Sequence, residues 1–219
     1  MSAIERAKQR ERTISIDEMT GIQALERKEP DQAMRPGKRE RKEFEYIRHG
    51  TQTLIASFDV ASGQVVNGSV GNTRTEADYL NHVPHLIETD PNAIKWHLVM
   101  DCLNTHQSES LVKFVAQTEG LDIDLGVKGQ SGILKSIQTR ATFLSDPSHK
   151  IVFHFTPKHC SWLNQIEMWF SILVRKLLKR ASFTSQAQLK RRILDFIDYF
   201  NRTMAKPFKW TYQGKALKR

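Results

Sequence analysis

Ile151 to Lys179 reads IVFHFTPKHCSWLNQIEMWFSILVRKLLK. Residues 151–155 form a short apolar run of strand type. Thr156-Pro157 ends it, because proline removes a ladder donor and biases the residue before it toward extended backbone. An amphipathic helix follows, with an apolar stripe of Leu163, Ile166, Phe170, Leu173 and Leu177 at spacings of three and four. Glu167 lies ~100° around that helix from Ile166, on the flank of the buried stripe and not on its solvated back. A carboxylate there faces along the core edge toward whatever the helix packs on. Trp162 and Trp169 bracket it and read as core residues.

Two further acids sit where strands end. Residues 13–19 alternate and finish on Asp17-Glu18, and KWHLVM (95–100) is a buried strand that runs straight into Asp101. Residues 51–60 and 64–70 are β-rich and separated by Ala61-Ser62-Gly63, a hairpin with glycine in the position that tolerates positive φ. Thr75-Glu76-Ala77-Asp78 starts a capped helix over 75–89. Ser108 or Ser110 caps another helix through Gln117, and Thr184-Ser185 caps a last one over 186–202, with Leu189, Ile193, Phe196, Ile197 and Phe200 facing inward. Residues 1–12 read as an arm or short helix, and 26–45 as a charged loop containing the run Lys38 to Lys42. Residues 121–150 are rich in Gly and Ser, with weak periodicity, and read as a small subdomain or flap. The order of elements predicts an α/β fold, a mixed sheet with helices on its faces.

Two neighbouring strands ending on Asp17 and Asp101, with Glu167 on a helix edge, would converge three carboxylates. Hard divalent cations such as magnesium take oxygen ligands, one or two protein carboxylates with substrate phosphate. A pair of them clamps the attacking and leaving oxygens of an in-line phosphoryl displacement. Each acid taken alone has a plainer reading, as a turn residue, a cap or a solvated helix flank.

Charge narrows the partner. The net charge is +9, yet residues from Lys150 to Arg219 hold 15 Lys and Arg against three acids, so the excess lies in the C-terminal third. Clustered cations suit a polyanion, with nucleic acid first among the candidates. Arg175, Lys176, Lys179 and Arg180, followed by Lys190, Arg191 and Arg192, form a phosphate track, and Lys38–Lys42 a second one. No apolar run approaches a membrane span, and Cys102 and Cys160 give neither a disulfide framework nor a zinc pattern. They read as small buried residues in a reducing cytoplasm. Asn104 and His106 follow Asp101 closely enough to line a site, and His159 and Asn164 precede Glu167 where they could touch DNA phosphate.

LVMDCLNTHQS (98–108) and TPKHCSWLNQIEMWF (156–170) resemble the second and third catalytic blocks of DDE transposases, in the bacterial insertion-sequence branch of the mariner superfamily. TISIDEMTGIQALER (13–27) resembles the first block and EYIRHGTQTLIASFDVASGQV (45–65) the family's hairpin. The resemblance runs from Arg12 to Gln213, and its two later blocks are the specific ones. It implies a ribonuclease-H-like, five-stranded mixed sheet flanked by helices, with the first two Asp strands adjacent. It also implies a catalytic domain over 13–213, with an arm over 1–12 and a basic tail over 214–219. Asp17, Asp101 and Glu167 would be both the catalytic residues and the ligands of a two-metal site for magnesium or manganese. The implied activity is cleavage and strand transfer of double-stranded DNA by a homodimer acting on transposon ends and target, in the cytoplasm on the nucleoid. A stand-alone nuclease of the same fold, or an inactive DNA-binding remnant, are the alternatives. The 65 residues between Asp101 and Glu167 exceed the family's usual spacing, and the 121–150 insert supplies most of the excess. The family's helix-turn-helix region has no counterpart before the first strand, so the chain reads as a catalytic domain, a second reading frame or a truncated copy.

Overall fold

The computed structural model describes residues 1–29, 33–39, 41, 43–157 and 160–210. In chain order the elements are α1 (Ala3–Lys8), β1 (Glu11–Arg27), β2 (Tyr46–Asp59), β3 (Gln64–Gly71), α2 (Glu76–Glu88), β4 (Lys95–Met100), α3 (Glu109–Glu119), α4 (Ile137–Leu144), β5 (Ile151–Phe155), α5 (Ile166–Leu173) and α6 (Gln186–Thr203). The strands form one sheet in the order β3-β2-β1-β4-β5. β1, β2 and β3 pair antiparallel, while β4 joins β1, and β5 joins β4, in parallel. The expected α/β architecture is therefore present, with helices on both faces.

Alternation along β1 divides the molecule. Ile14 and Ile16 enter a core shared with Leu98, Met100 and Phe153 and with Val83, Leu86, Leu111 and Val115 of α2 and α3. On the other face, Leu54, Ala56 and Phe58 of β2 pack on Ile166, Trp169 and Leu173 of α5 and on Leu189, Ile193 and Phe200 of α6. The five inward positions read for the last helix are all buried. Local signals place the ends: Thr75 and Asp78 form a reciprocal capping box at α2, Ser108 and Ser185 cap α3 and α6, and Gly120 ends α3 in the left-handed conformation. The β2–β3 turn needs Gly63 twice over. Its φ is +74°, and a Cβ there would sit 2.0 Å from the main chain of Lys206.

Several expectations are corrected. β1 is 17 residues long, far beyond 13–19, so Asp17 and Glu18 lie inside the strand and not at its end, and it bends at two register shifts near Gly21 and Ala24. The end of β1 therefore takes in Glu26 and Arg27 of the expected 26–45 loop, and β2 starts directly after it at Tyr46. The 121–150 segment is not a detached flap: Leu134, Phe143 and Leu144 belong to the first core. Buried Arg140 of α4 donates from Nε to the carbonyl of Gln107 at 2.6 Å, which ties this segment to the turn after β4. Nor is the catalytic-block helix continuous. A 3₁₀ turn (Ser161–Leu163) precedes α5, and a π turn (Val174–Leu178) follows it, closed by a Lys179 N–H to Val174 carbonyl bond. The break in phase leaves Trp162 52% exposed, while Trp169 is fully buried as expected. Cys102 and Cys160 are half-buried free thiols, not fully buried ones. No helix among the described residues is long and apolar enough to cross a membrane.

Candidate active site

The parallel pairing of β1 and β4 sets the first two acids side by side. Ser15 pairs with Val99, and two more residues on each strand reach Asp17 and Asp101. Asp17 is 5% exposed. Its Oδ1 accepts the Glu18 N–H at 2.8 Å, and its Oδ2 accepts from Asn164 Nδ2 at 3.2 Å. Glu167 lies in the first turn of α5, half-buried, where the helix N-terminus favours a negative charge. Burial, together with the charges of Glu18, Asp101 and Glu167, pushes the Asp17 carboxyl up to about 7. Burial and then the Asp101 and Glu18 charges also raise Glu167.

The neighbouring Glu18 has a different setting, which the sequence reading did not single out. Its side chain is buried on the opposite face of β1 and takes a hydrogen bond from the Tyr79 hydroxyl and one from Arg74 Nη1 at 2.9 Å. Buried His106 stands between Glu18 and Asp101. Its Nδ1 is 2.7 Å from Asp101 Oδ1, and its Nε2 is 3.4 Å from Glu18 Oε2, a charge contact without hydrogen-bond geometry. Burial alone would push the Glu18 carboxyl up, but His106, Tyr79 and Arg74 outweigh it and hold Glu18 at about 2. Burial likewise opposes the imidazolium, and the flanking carboxylates still raise His106 to about 9. Two consecutive acids in one strand were the available signal, since β alternation must send them to opposite faces.

The other expected site residues divide. Asn104 is exposed on the turn after Asp101. Asn164 is wholly buried, so a phosphate does not reach it; its amide donates to the Ile16 carbonyl at 2.7 Å and to Asp17. His159 lies outside the described residues, as do Glu40 and Lys42 of the Lys38–Lys42 run. Lys38, Arg39 and Arg41 are exposed. Arg175, Lys176, Lys179, Arg180, Lys190, Arg191 and Arg192 are all exposed, and none makes an ion pair among the described residues.

No three His, Cys, Asp or Glu side chains among the described residues converge as a ready metal cage. The chemistry of Asp17, Asp101 and Glu167 nevertheless fits a hard divalent cation. The donors are all carboxylate oxygens, and two of them, Asp17 and Glu167, are raised first by burial and then by neighbouring carboxylate charges.

Residues 12–190 match the DDE superfamily endonuclease family. Among solved structures, a pre-cleavage Mos1 transpososome aligns with a TM-score of 0.50 at 13% identity, covering 89% of this chain and 52% of that one. The Mos1 mariner paired end complex with Mn aligns with a TM-score of 0.33 at 12% identity, covering 93% of this chain and 60% of that one. The chain thus spans about half the length of the transposase chain it superposes on best of these two, and the likeness identifies a ribonuclease-H-like fold. No curated protein matches it in sequence. With a family match over most of its length, and with Asp17 and Asp101 brought level by the β1–β4 register, this chain belongs to the DDE superfamily endonucleases.

Proposed function

We propose that the chain is the catalytic domain of a DNA transposase, cutting and joining DNA strands at Asp17, Asp101 and Glu167 with magnesium or manganese in a two-metal site. The observation that carries this reading is the β1–β4 register, which brings Asp17 and Asp101 level on neighbouring strands, with the start of α5 tied to β1 through Ser15 and Asn164. Bound divalent cations would supply charge neutralisation at the attacking and leaving oxygens of phosphoryl transfer. The chain's own residues do the rest. Asp17 is pinned by the Glu18 N–H and the Asn164 amide, so its carboxylate is oriented before any cation arrives. Asp101 is held through His106, and Glu167 is carried in the first turn of the helix that Ser15 ties to β1. The exposed cations of 175–180 and 190–192 bind duplex phosphates without reading sequence, which positions a backbone against the acids. Transposon ends and target DNA are the substrates, and two copies of the chain act together.

The test is a plasmid assay with magnesium or manganese that scores both nicking and end joining. Cleavage should require the cation and should disappear in Asp17→Ala, Asp101→Asn and Glu167→Gln while the far-ultraviolet spectrum is kept. Near-native cleavage by Asp101→Asn would overturn the assignment, and nicking without joined products would reduce the protein to a nuclease.

A further inference from the structure

Asn164 was read from sequence as a phosphate contact, and its burial rules that out. What it touches instead is unusual. The side chain is 0% exposed, and Ser15 beside it is 1% exposed. Asn164 Nδ2 donates to the Ile16 carbonyl at 2.7 Å and to Asp17 Oδ2 at 3.2 Å, while Oδ1 accepts from the Ser15 hydroxyl. Ser15 Oγ in turn accepts the Ile166 N–H at 2.8 Å. The Asn164 carbonyl accepts the Glu167 N–H at 3.1 Å. One buried residue therefore touches one acid with its side chain and another with its main chain.

The start of α5 shows why this matters. Gln165, at its N-cap, makes no side-chain capping bond. The first turn of a helix leaves N–H groups unpaired, and they are normally met locally. Here the Ile166 N–H is met by a serine from a strand 151 positions away in the chain. The helix start is thus indexed on β1, one residue from Glu167 and two residues from Asp17. A tie between strand and helix needs only the bonds to Ser15 and Ile16. The second amide hydrogen goes to Asp17 Oδ2, and with the Glu18 N–H on Oδ1 it fixes the carboxylate in one orientation. Only an amide can accept from Ser15 and donate twice in that space.

We infer that Asn164, locked by Ser15, is a positioning residue that aims the Asp17 carboxylate and sets its separation from Glu167. This rests on the metal-dependent reading proposed above. Partners that orient a metal-binding carboxylate typically contribute about 10–100-fold in metal affinity. The experiment is a manganese titration of the full chain, read as the rise in melting temperature and as free manganese by electron paramagnetic resonance. Neither readout needs turnover. Asn164→Ala and Ser15→Ala should each shift the manganese midpoint upward by about tenfold or more. Their double variant should be far less than additive, because the two side chains act as one unit. Ser15→Thr, which keeps the hydroxyl, should restore the midpoint. Val115→Ala, a core truncation in α3, should lower the melting temperature and leave the midpoint within about twofold. If Asn164→Ala does not fold, the Ser15→Ala and Ser15→Thr pair carries the same comparison. Wild-type midpoints in Ser15→Ala and in any folded Asn164→Ala would overturn the inference and leave the lock as scaffold. Asp17→Ala separates the two readings. If it binds manganese like wild type, the metal assignment itself fails. If it loses binding while the lock variants do not, only the positioning role fails.

Discussion

Asp17 and Glu18 are consecutive on β1, and the two faces of the sheet treat them in opposite ways. On the α2 side, Glu18 meets Tyr79, Arg74 and His106 and is held ionised at about 2. On the α5 side, Asp17 is as deeply buried, meets only an amide and a backbone N–H, faces two other acids, and is raised to about 7. One environment compensates its charge within the protein; the other leaves a charge for something else to compensate. A buried carboxylate without a cation partner is the mark of a site rather than of a scaffold, because desolvation disfavours the ionised form. The contrast supports the proposal that gives Glu18 to architecture and Asp17 to chemistry, although the sequence sets them side by side.

The largest effect expected is on catalysis. On the proposed reading Asp17→Ala takes away both a metal ligand and a charge, so it should cut DNA cleavage by about a thousandfold or more, several kcal/mol of transition-state stabilisation. Glu18→Ala should reduce activity much less than it reduces stability. A Glu18→Ala protein that folds like wild type but is as inactive as Asp17→Ala would reverse the two assignments.

Stability should separate the pair with opposite signs. Deleting one member of a buried ion pair leaves its partner uncompensated, so Glu18→Ala should cost about 3–5 kcal/mol, with His106 stranded beside Tyr79. At this chain length that is a fall of roughly 6–20 °C in melting temperature, read in a thermal melt without added metal. Asp17→Asn removes a poorly compensated charge and keeps the shape. It should raise the melting temperature of the metal-free protein by a few degrees, about 1–2 kcal/mol, while abolishing activity. A lowered melting point in Asp17→Asn would mean that the carboxylate is structural after all.

Much of this site is legible in the sequence because its positions obey short periods. The β alternation of 13–19 and 95–100 brings Asp17 and Asp101 to the same face of adjacent strands, although only Asp101 follows a strand end, and the helical stripe from Ile166 places Glu167 on an edge. What escapes is long-range or out of phase. Glu18 meets Tyr79 and Arg74 across 61 and 56 positions, and nothing local in either helix or strand signals those bonds. The 121–150 segment hides Leu134, Phe143 and Leu144 among glycines and serines, so its share of the core has no visible period. Trp162 is misplaced because helical phase was carried through what is a 3₁₀ turn.

The pH dependence should follow the same contrast. Asp17 moves from 3.8 unfolded to about 7 folded, so the folded state holds a proton that the unfolded state has lost. The stability it contributes is present below about pH 4 and is lost as pH rises through 7. Glu18 moves the other way, from 4.5 to about 2, so its contribution is present above about pH 4.5 and is lost as pH falls toward 2. The melting-temperature difference between Asp17→Asn and wild type should therefore widen from pH 5 to pH 7.5 and shrink on adding manganese. Manganese affinity should climb across the same interval, since binding must displace the Asp17 proton. A difference flat in pH would place the raised group elsewhere.

The smallest effect concerns the exposed cations beyond Glu167, where the site's uncompensated acids give way to uncompensated bases. Arg175, Lys176, Lys179 and Arg180 leave a π turn whose C-terminal carbonyls already attract positive charge. Complementing that dipole would contribute only about 0.3–1 kcal/mol of stability. A phosphate track has a different signature, because each neutralised phosphate releases counterions and adds about 0.9 to the slope of log affinity against log salt. Replacing all four with Gln should flatten that slope for random duplex DNA by up to about 0.9 per lost contact. Affinity should weaken alike for every sequence, and the manganese midpoint should stay put. Lys190, Arg191 and Arg192 on α6 should behave in the same way. An unchanged salt slope with a lowered melting temperature would make the first four residues a dipole cap. It would move the DNA path toward Lys38, Arg39 and Arg41, which are exposed on the loop between β1 and β2.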